Sequence, residues 1–135
     1  MAVHTTLLTS NRNVSRQILD QEITVKAYID CSDTALVSGD YYRLFYYPAN
    51  TFLNEVVVIT ETVEGAAETT DITDDETGTT TLISSADLNT DNAITKYTTG
   101  LFKPAVGYIS VKPDHALTVA AFWVIAKFTT VKTTD

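Results

Sequence analysis

Two histidines, one cysteine and a short acidic run are the residues whose types could do chemistry in this 135-residue chain. His115 follows Asp114 in "KPDHAL", and His4 lies near the N-terminus. Neighbours in sequence do not make a triad, and no G-x-S-x-G elbow presents a serine nucleophile, so His115 reads as a surface turn residue. Cys31 is the single cysteine. It excludes an intrachain disulfide and a cysteine-based metal cluster, and nothing beside it in sequence would lower its pKa. Cys31 therefore reads as a small residue near a strand end. The run "DITDDE" at 71–76 carries carboxylates that suit Ca²⁺. It lacks the glycine and glutamate spacing of an EF-hand loop, so a solvated hairpin tip competes with a calcium site. The five glycines stand singly at 39, 65, 78, 100 and 107, outside any phosphate-cradling pattern. Two distant strands could pair carboxylates for glycoside hydrolysis, but no residue points to it. "NVS" at 13–15 matches a glycosylation acceptor only by pattern. The expectation is a non-enzyme with no catalytic residue, no metal and no cofactor.

The elements that would position any site are strands. Apolar residues make up 44% of the chain and charged residues 19%, the balance of a globular domain. About two dozen threonines, with seven tyrosines and five phenylalanines, favour a pleated, half-exposed surface over helix. The net charge of −8 has the wrong sign for a nucleic-acid binder. No run approaches the roughly 18 apolar residues of a membrane span, and the N-terminus lacks the charged head and apolar core of a signal peptide. We therefore expect synthesis in the cytoplasm and neither a nucleic-acid nor a membrane partner.

Alternation places strands at 22–30 and 52–63, and the aromatic run 41–47 follows the corner "SGD" (38–40), with the next corner at Pro48 and Asn50. A Thr-rich strand and a hairpin tip at 74–78 fall within 64–80, and another strand or an irregular edge within 80–90. A further segment ends at Gly100. Strands at 107–113 and 116–131 complete the set. Turn signals at such intervals predict an all-β fold: a single β-sandwich or jelly-roll-like domain over 23–135, preceded by an extended N-terminal arm and linker over 1–22.

Two strands are apolar on both faces. In the last, Phe122, Val124, Ala126 and Phe128 alternate with Val119, Ala121, Trp123 and Ile125. In "FLNEVVVITETV", Val57 and Ile59 alternate with Val56 and Val58. A sandwich strand needs one apolar face, so the second is covered either within the subunit or by another subunit. On the second reading Val56, Val58, Trp123 and Ile125 are interface candidates. Arg12 and Arg16 stand in the polar N-terminal segment of an acidic chain. They mark either a solvated linker or an arm that docks on an acidic partner surface. Tyrosines in "YYRLFYY", Tyr42 and Tyr46 among them, offer a third possibility, stacking on a carbohydrate.

The stretch "SDTALVSGDYYRLFYYPANTFLNEVVVITETVEGAAETTDITDDETGTTTLISSADLNT" (32–90) resembles small virion proteins of tailed bacteriophages. The resemblance lies in a strand ending at a "PANT" corner, a "V-x-V-x-T" strand, a short Thr- and Asp-rich strand and a "DLNT" segment. It departs from that pattern at "TDDETG", where the family carries a glycine-aspartate pair, and before about Asp30, where no counterpart exists. The resemblance implies a capsid decoration (cement) protein, or a related head-fibre, tail or adaptor component. It implies a homo-oligomer, a trimer, seated on the outside of the virion's icosahedral head, with the major capsid protein as partner. It brings no catalytic residue.

Overall fold

The computed structural model describes residues 3–4, 22–65, 68–74 and 80–130. Nine strands run through them: β1 (Val3–His4), β2 (Glu22–Asp30), β3 (Tyr41–Tyr47), β4 (Thr51–Thr62), β5 (Thr69–Asp74), β6 (Thr80–Asp87), β7 (Ile94–Lys103), β8 (Gly107–Pro113) and β9 (Ala121–Thr130). No helix occurs among the described residues. One sheet has the order β1-β3-β8-β5-β6 and the other β2-β9-β4-β7. Strands β2 to β9 pair antiparallel, first with last (β2·β9), then β3·β8, β4·β7 and β5·β6. The chain is thus wound as one long hairpin folded over on itself, a jelly-roll-like sandwich of the predicted class.

Period-two alternation explains the core. Phe122, Val124, Ala126 and Phe128 of β9 point inward at 0% exposure, as do Val56 and Val58 of β4. They meet Leu44, Phe45, Tyr47, Ile72, Ile109 and Val111 from the facing sheet in one cluster. Each such side chain contributes up to about 1.5–3 kcal/mol by leaving water. Cys31 closes the end of β2 at 1% exposure, and burial, then the charges of Glu64 and Asp30, pushes its thiol up to about 12.

Three features differ from the sequence reading by more than a residue or two. The segment expected to end at Gly100 continues as strand to Lys103. Register slips between Leu53 and Glu55 of β4, where Leu53 faces Leu101 and Glu55 faces Thr98. β7 therefore carries an extra residue there, and Gly100, with φ 58°, supplies the left-handed backbone of the bulge. The last strand begins at Ala121 instead of 116. The segment before it docks as a loop: Leu36 and Leu117 exchange backbone hydrogen bonds of 2.9 and 3.0 Å. The Glu64 carboxylate there accepts from the backbone N–H groups of Thr118, Val119 and Ala120 at 3.1, 2.9 and 2.8 Å. Burial alone would raise the Glu64 pKa, but these donors outweigh it and hold the carboxyl below its ordinary range.

The third difference concerns the acidic run. Asp71 accepts a hydrogen bond from the Ser85 N–H at 2.8 Å. Asp74, expected in a solvated tip, is fully buried against Tyr47 and Lys103. The remainder of the tip, including Glu76, lies outside the described residues, as does the expected arm apart from β1 and Glu22, which opens β2. Val3 and His4 of that arm pair parallel with Tyr41 and Tyr42 at the edge of the five-stranded sheet.

Candidate functional site

The outward face of the four-stranded sheet is built by register. Tyr28 of β2 lies opposite Trp123 of β9, Trp123 opposite Ile59 of β4, and Ile59 opposite Ile94 of β7. This row crosses the whole sheet as an apolar stripe. The next row is Lys26, Ile125, Val57 and Lys96, a pair of apolar residues with a lysine at each end. A third row brings Lys127 beside Glu55, and Glu55 takes ion pairs from Lys96 at 3.3 Å and Lys127 at 3.8 Å.

Within the stripe, the rings of Tyr28 and Trp123 meet at 4.9 Å and 49°. The Tyr28 hydroxyl donates to Glu61 Oε1 at 2.7 Å. That bond to a carboxylate, followed by burial and the charges of Glu61, Asp30 and Asp33, pushes the phenol up to about 12. Beside the rings is an open depression of about 350 Å³, lined by Lys26, Ile59, Thr60, Glu61, Asn92, Trp123 and Ile125. Ile94 is 67% exposed and Tyr28 37%, while Trp123, Ile125, Val57 and Ile59 are half-buried. An isolated subunit therefore leaves a tryptophan, a tyrosine and three isoleucines partly in water on one face. Such a continuous patch makes this face the candidate contact surface of the subunit.

Of the six candidate residues, Trp123 and Ile125 sit together on this face. Val56 and Val58 do not. Both are at 0% exposure inside the sandwich, so they are core residues, and their neighbours Val57 and Ile59 take the outward positions. The cause is a bulge of β4 against β9, where Leu53 to Glu55 spans two steps opposite the single step from Phe128 to Lys127. The extra residue changes the inward parity of β4 from odd before it (Leu53) to even after it (Val56, Val58). Arg12 and Arg16 lie outside the described residues. Tyr28, Ile59 and Ile94 were missed as site residues. The signal for them is cross-strand pairing with Trp123, which only the register of three strands reveals.

The tyrosine-rich β3 gives a different surface. Tyr42 is 6% exposed, its hydroxyl accepting from the Val37 N–H at 2.8 Å. Tyr46 is half-buried, edge-on to Tyr108 at 5.7 Å, and the Arg43 guanidinium stacks 3.9 Å above that Tyr108 ring. Most of the aromatic surface of β3 is thus spent within the subunit.

No protein-family profile matches the sequence. No curated protein matches it either. Solved structures do match the fold. A chain of the capsid of Ralstonia phage GP4 superposes with a TM-score of 0.66 at 12% identity, covering 90% of this chain and 92% of that one. A chain of the acid-stable capsid of Helicobacter pylori bacteriophage KHP30 gives a TM-score of 0.64 at 12% identity, covering 87% and 94%. A chain of the capsid asymmetric unit of cyanophage Pam1 gives 0.57 at 13% identity, covering 93% and 94%. Over nearly its whole length, then, this all-β sandwich has the fold of chains found in phage capsids.

Proposed function

We propose that this chain is a non-enzymatic structural protein of a phage head, a decoration protein that binds the outer surface of the shell as a trimer. The observation that carries the reading is the mutual coverage of the three capsid chains, which leaves little of either partner outside the shared fold. Fold alone does not assign function. Two properties of this chain support the role. The outer stripe of Tyr28, Trp123, Ile59 and Ile94 supplies an apolar surface for a sibling subunit or the shell. The net charge of −8 suits a protein facing away from packaged DNA, because the interior of a filled head would repel it. Three linked contacts bind as one event, so avidity exceeds a single contact by about 10²–10⁴. Modest surfaces on each subunit then suffice to clamp neighbouring capsomers together.

Light scattering on the purified chain tests the oligomer, and co-sedimentation with heads lacking the chain tests the attachment. The expected results are a trimeric mass and saturable uptake, with Trp123→Ala weakening one of the two by at least about tenfold. A monomer that heads do not take up would overturn the proposal.

A further inference from the structure

At one end of the sandwich, four strands bring together a buried acid, an amine and a phenol. Asp74 closes β5, Lys103 closes β7, Tyr47 closes β3 and Gly107 opens β8. Asp74 belongs to the five-stranded sheet and Lys103 to the four-stranded one, so their contact bridges the two layers. The Asp74 side chain is at 0% exposure and that of Lys103 at 26%. Lys103 Nζ lies directly against Asp74 Oδ2 as its ion-pair partner. On the other oxygen, the Tyr47 hydroxyl donates to Oδ1 in a buried hydrogen bond. Gly107 makes room for that phenol, since a Cβ there would come within 2.6 Å of Tyr47 Cζ.

We propose that Asp74 and Lys103 condense into an intramolecular amide that staples the two sheets. The step balances without any outside reagent. A proton passes from the Lys103 ammonium to Asp74 Oδ2, giving the neutral amine and neutral acid that react. Nζ then attacks Cγ, and the negative charge that develops on Oδ1 is held by the Tyr47 hydroxyl, a donor already in place. The second amine proton moves to the Oδ2 hydroxyl, which leaves as water, and the Nζ–Cγ bond remains. Folding supplies the concentration term, because both groups are fixed on strand ends in contact. The partial exposure of Lys103 gives the departing water a way out. Asp74 and Lys103 are the groups that react, and Tyr47 is catalytic because it touches the reacting carboxyl.

The staple stands independently of the virion reading. Intact mass of the full chain, measured under denaturing conditions, decides it. The expected wild-type mass is lighter than the sequence mass by one water molecule, and a digest yields a branched peptide joining the Asp74 and Lys103 fragments. Lys103→Arg keeps the charge but cannot close the bond under these conditions, and it runs at its full sequence mass. Tyr47→Phe slows closure by about 100-fold, so the freshly purified variant still carries a fraction at full sequence mass that declines on incubation, whereas the wild type carries none. A wild-type chain at its full sequence mass overturns the proposal, and so does a water loss that persists in Lys103→Arg. Because the wild-type mass alone is decisive, failure of a variant to fold does not protect the idea.

Discussion

Replacing Val58 and Ile59 separately by alanine separates the two faces of β4. Val58 is at 0% exposure, paired with Val124 of β9 on one side and Thr95 of β7 on the other. Val58→Ala removes two carbons from a closed core, about 1.6 kcal/mol of transfer energy at roughly 0.8 per carbon. A residual cavity of about 40 Å³ adds about 1 kcal/mol. The sum is about 2.5 kcal/mol. Ile59 is half-buried on the outer face. Ile59→Ala removes three carbons that are only partly desolvated and leaves no closed cavity, so it costs about 1 kcal/mol. Urea unfolding of dilute protein gives both values. With a slope of about 2 kcal/mol/M, the midpoint falls by about 1.2 M for Val58→Ala and by about 0.5 M for Ile59→Ala. Repeating the titration at high concentration adds the linkage to self-association, which Ile59→Ala weakens and Val58→Ala does not. Equal losses for the two variants in dilute protein would refute the reasoning, since they would mean that the outer face is already covered within one subunit.

Three further outcomes follow from individual contacts. Glu64 has a folded pKa below its ordinary value of 4.5, so its share of stability is complete above that value and is lost as pH falls through the folded pKa. Glu64→Gln removes this share, and the acid-unfolding curve of the variant is flatter below pH 4.5 than that of the wild type. Gly107→Ala drives a Cβ into the buried Tyr47 ring. It lowers stability by about 1–3 kcal/mol in thermal or urea unfolding, and Tyr47→Phe does not restore the loss, because ring carbons clash along with the hydroxyl. Cys31, 1% exposed with its thiol pushed up to about 12, stays unlabelled by a thiol reagent in the native protein and reacts only as the chain unfolds.

The sandwich was legible where one rule acts over a whole strand. β2 shows its alternation directly, and the Pro48–Asn50 corner announces itself by residue type, with Asn50 at φ 61°. Legibility ends where the outcome depends on a partner strand. The inward face of β4 reverses at its bulge against β9, between Leu53 and Glu55, so the two apolar faces of 52–63 do not declare in the sequence which is core, and Val56 and Val58 prove to be the buried pair. The Tyr28, Trp123, Ile59 and Ile94 row has the same character, since no two of its members are near in sequence. Asp74 shows the limit of composition. Amid other carboxylates it reads as solvated, yet Tyr47 and Lys103, from strands far along the chain, give it two polar partners in the interior.

The most direct test of the proposed role is a count of this chain in purified heads, by quantitative mass spectrometry against the major shell protein. The account predicts a fixed stoichiometric ratio with copy numbers comparable to the shell protein. A handful of copies per particle would place the chain at a fibre or the tail, and its absence from the particle would contradict the account outright.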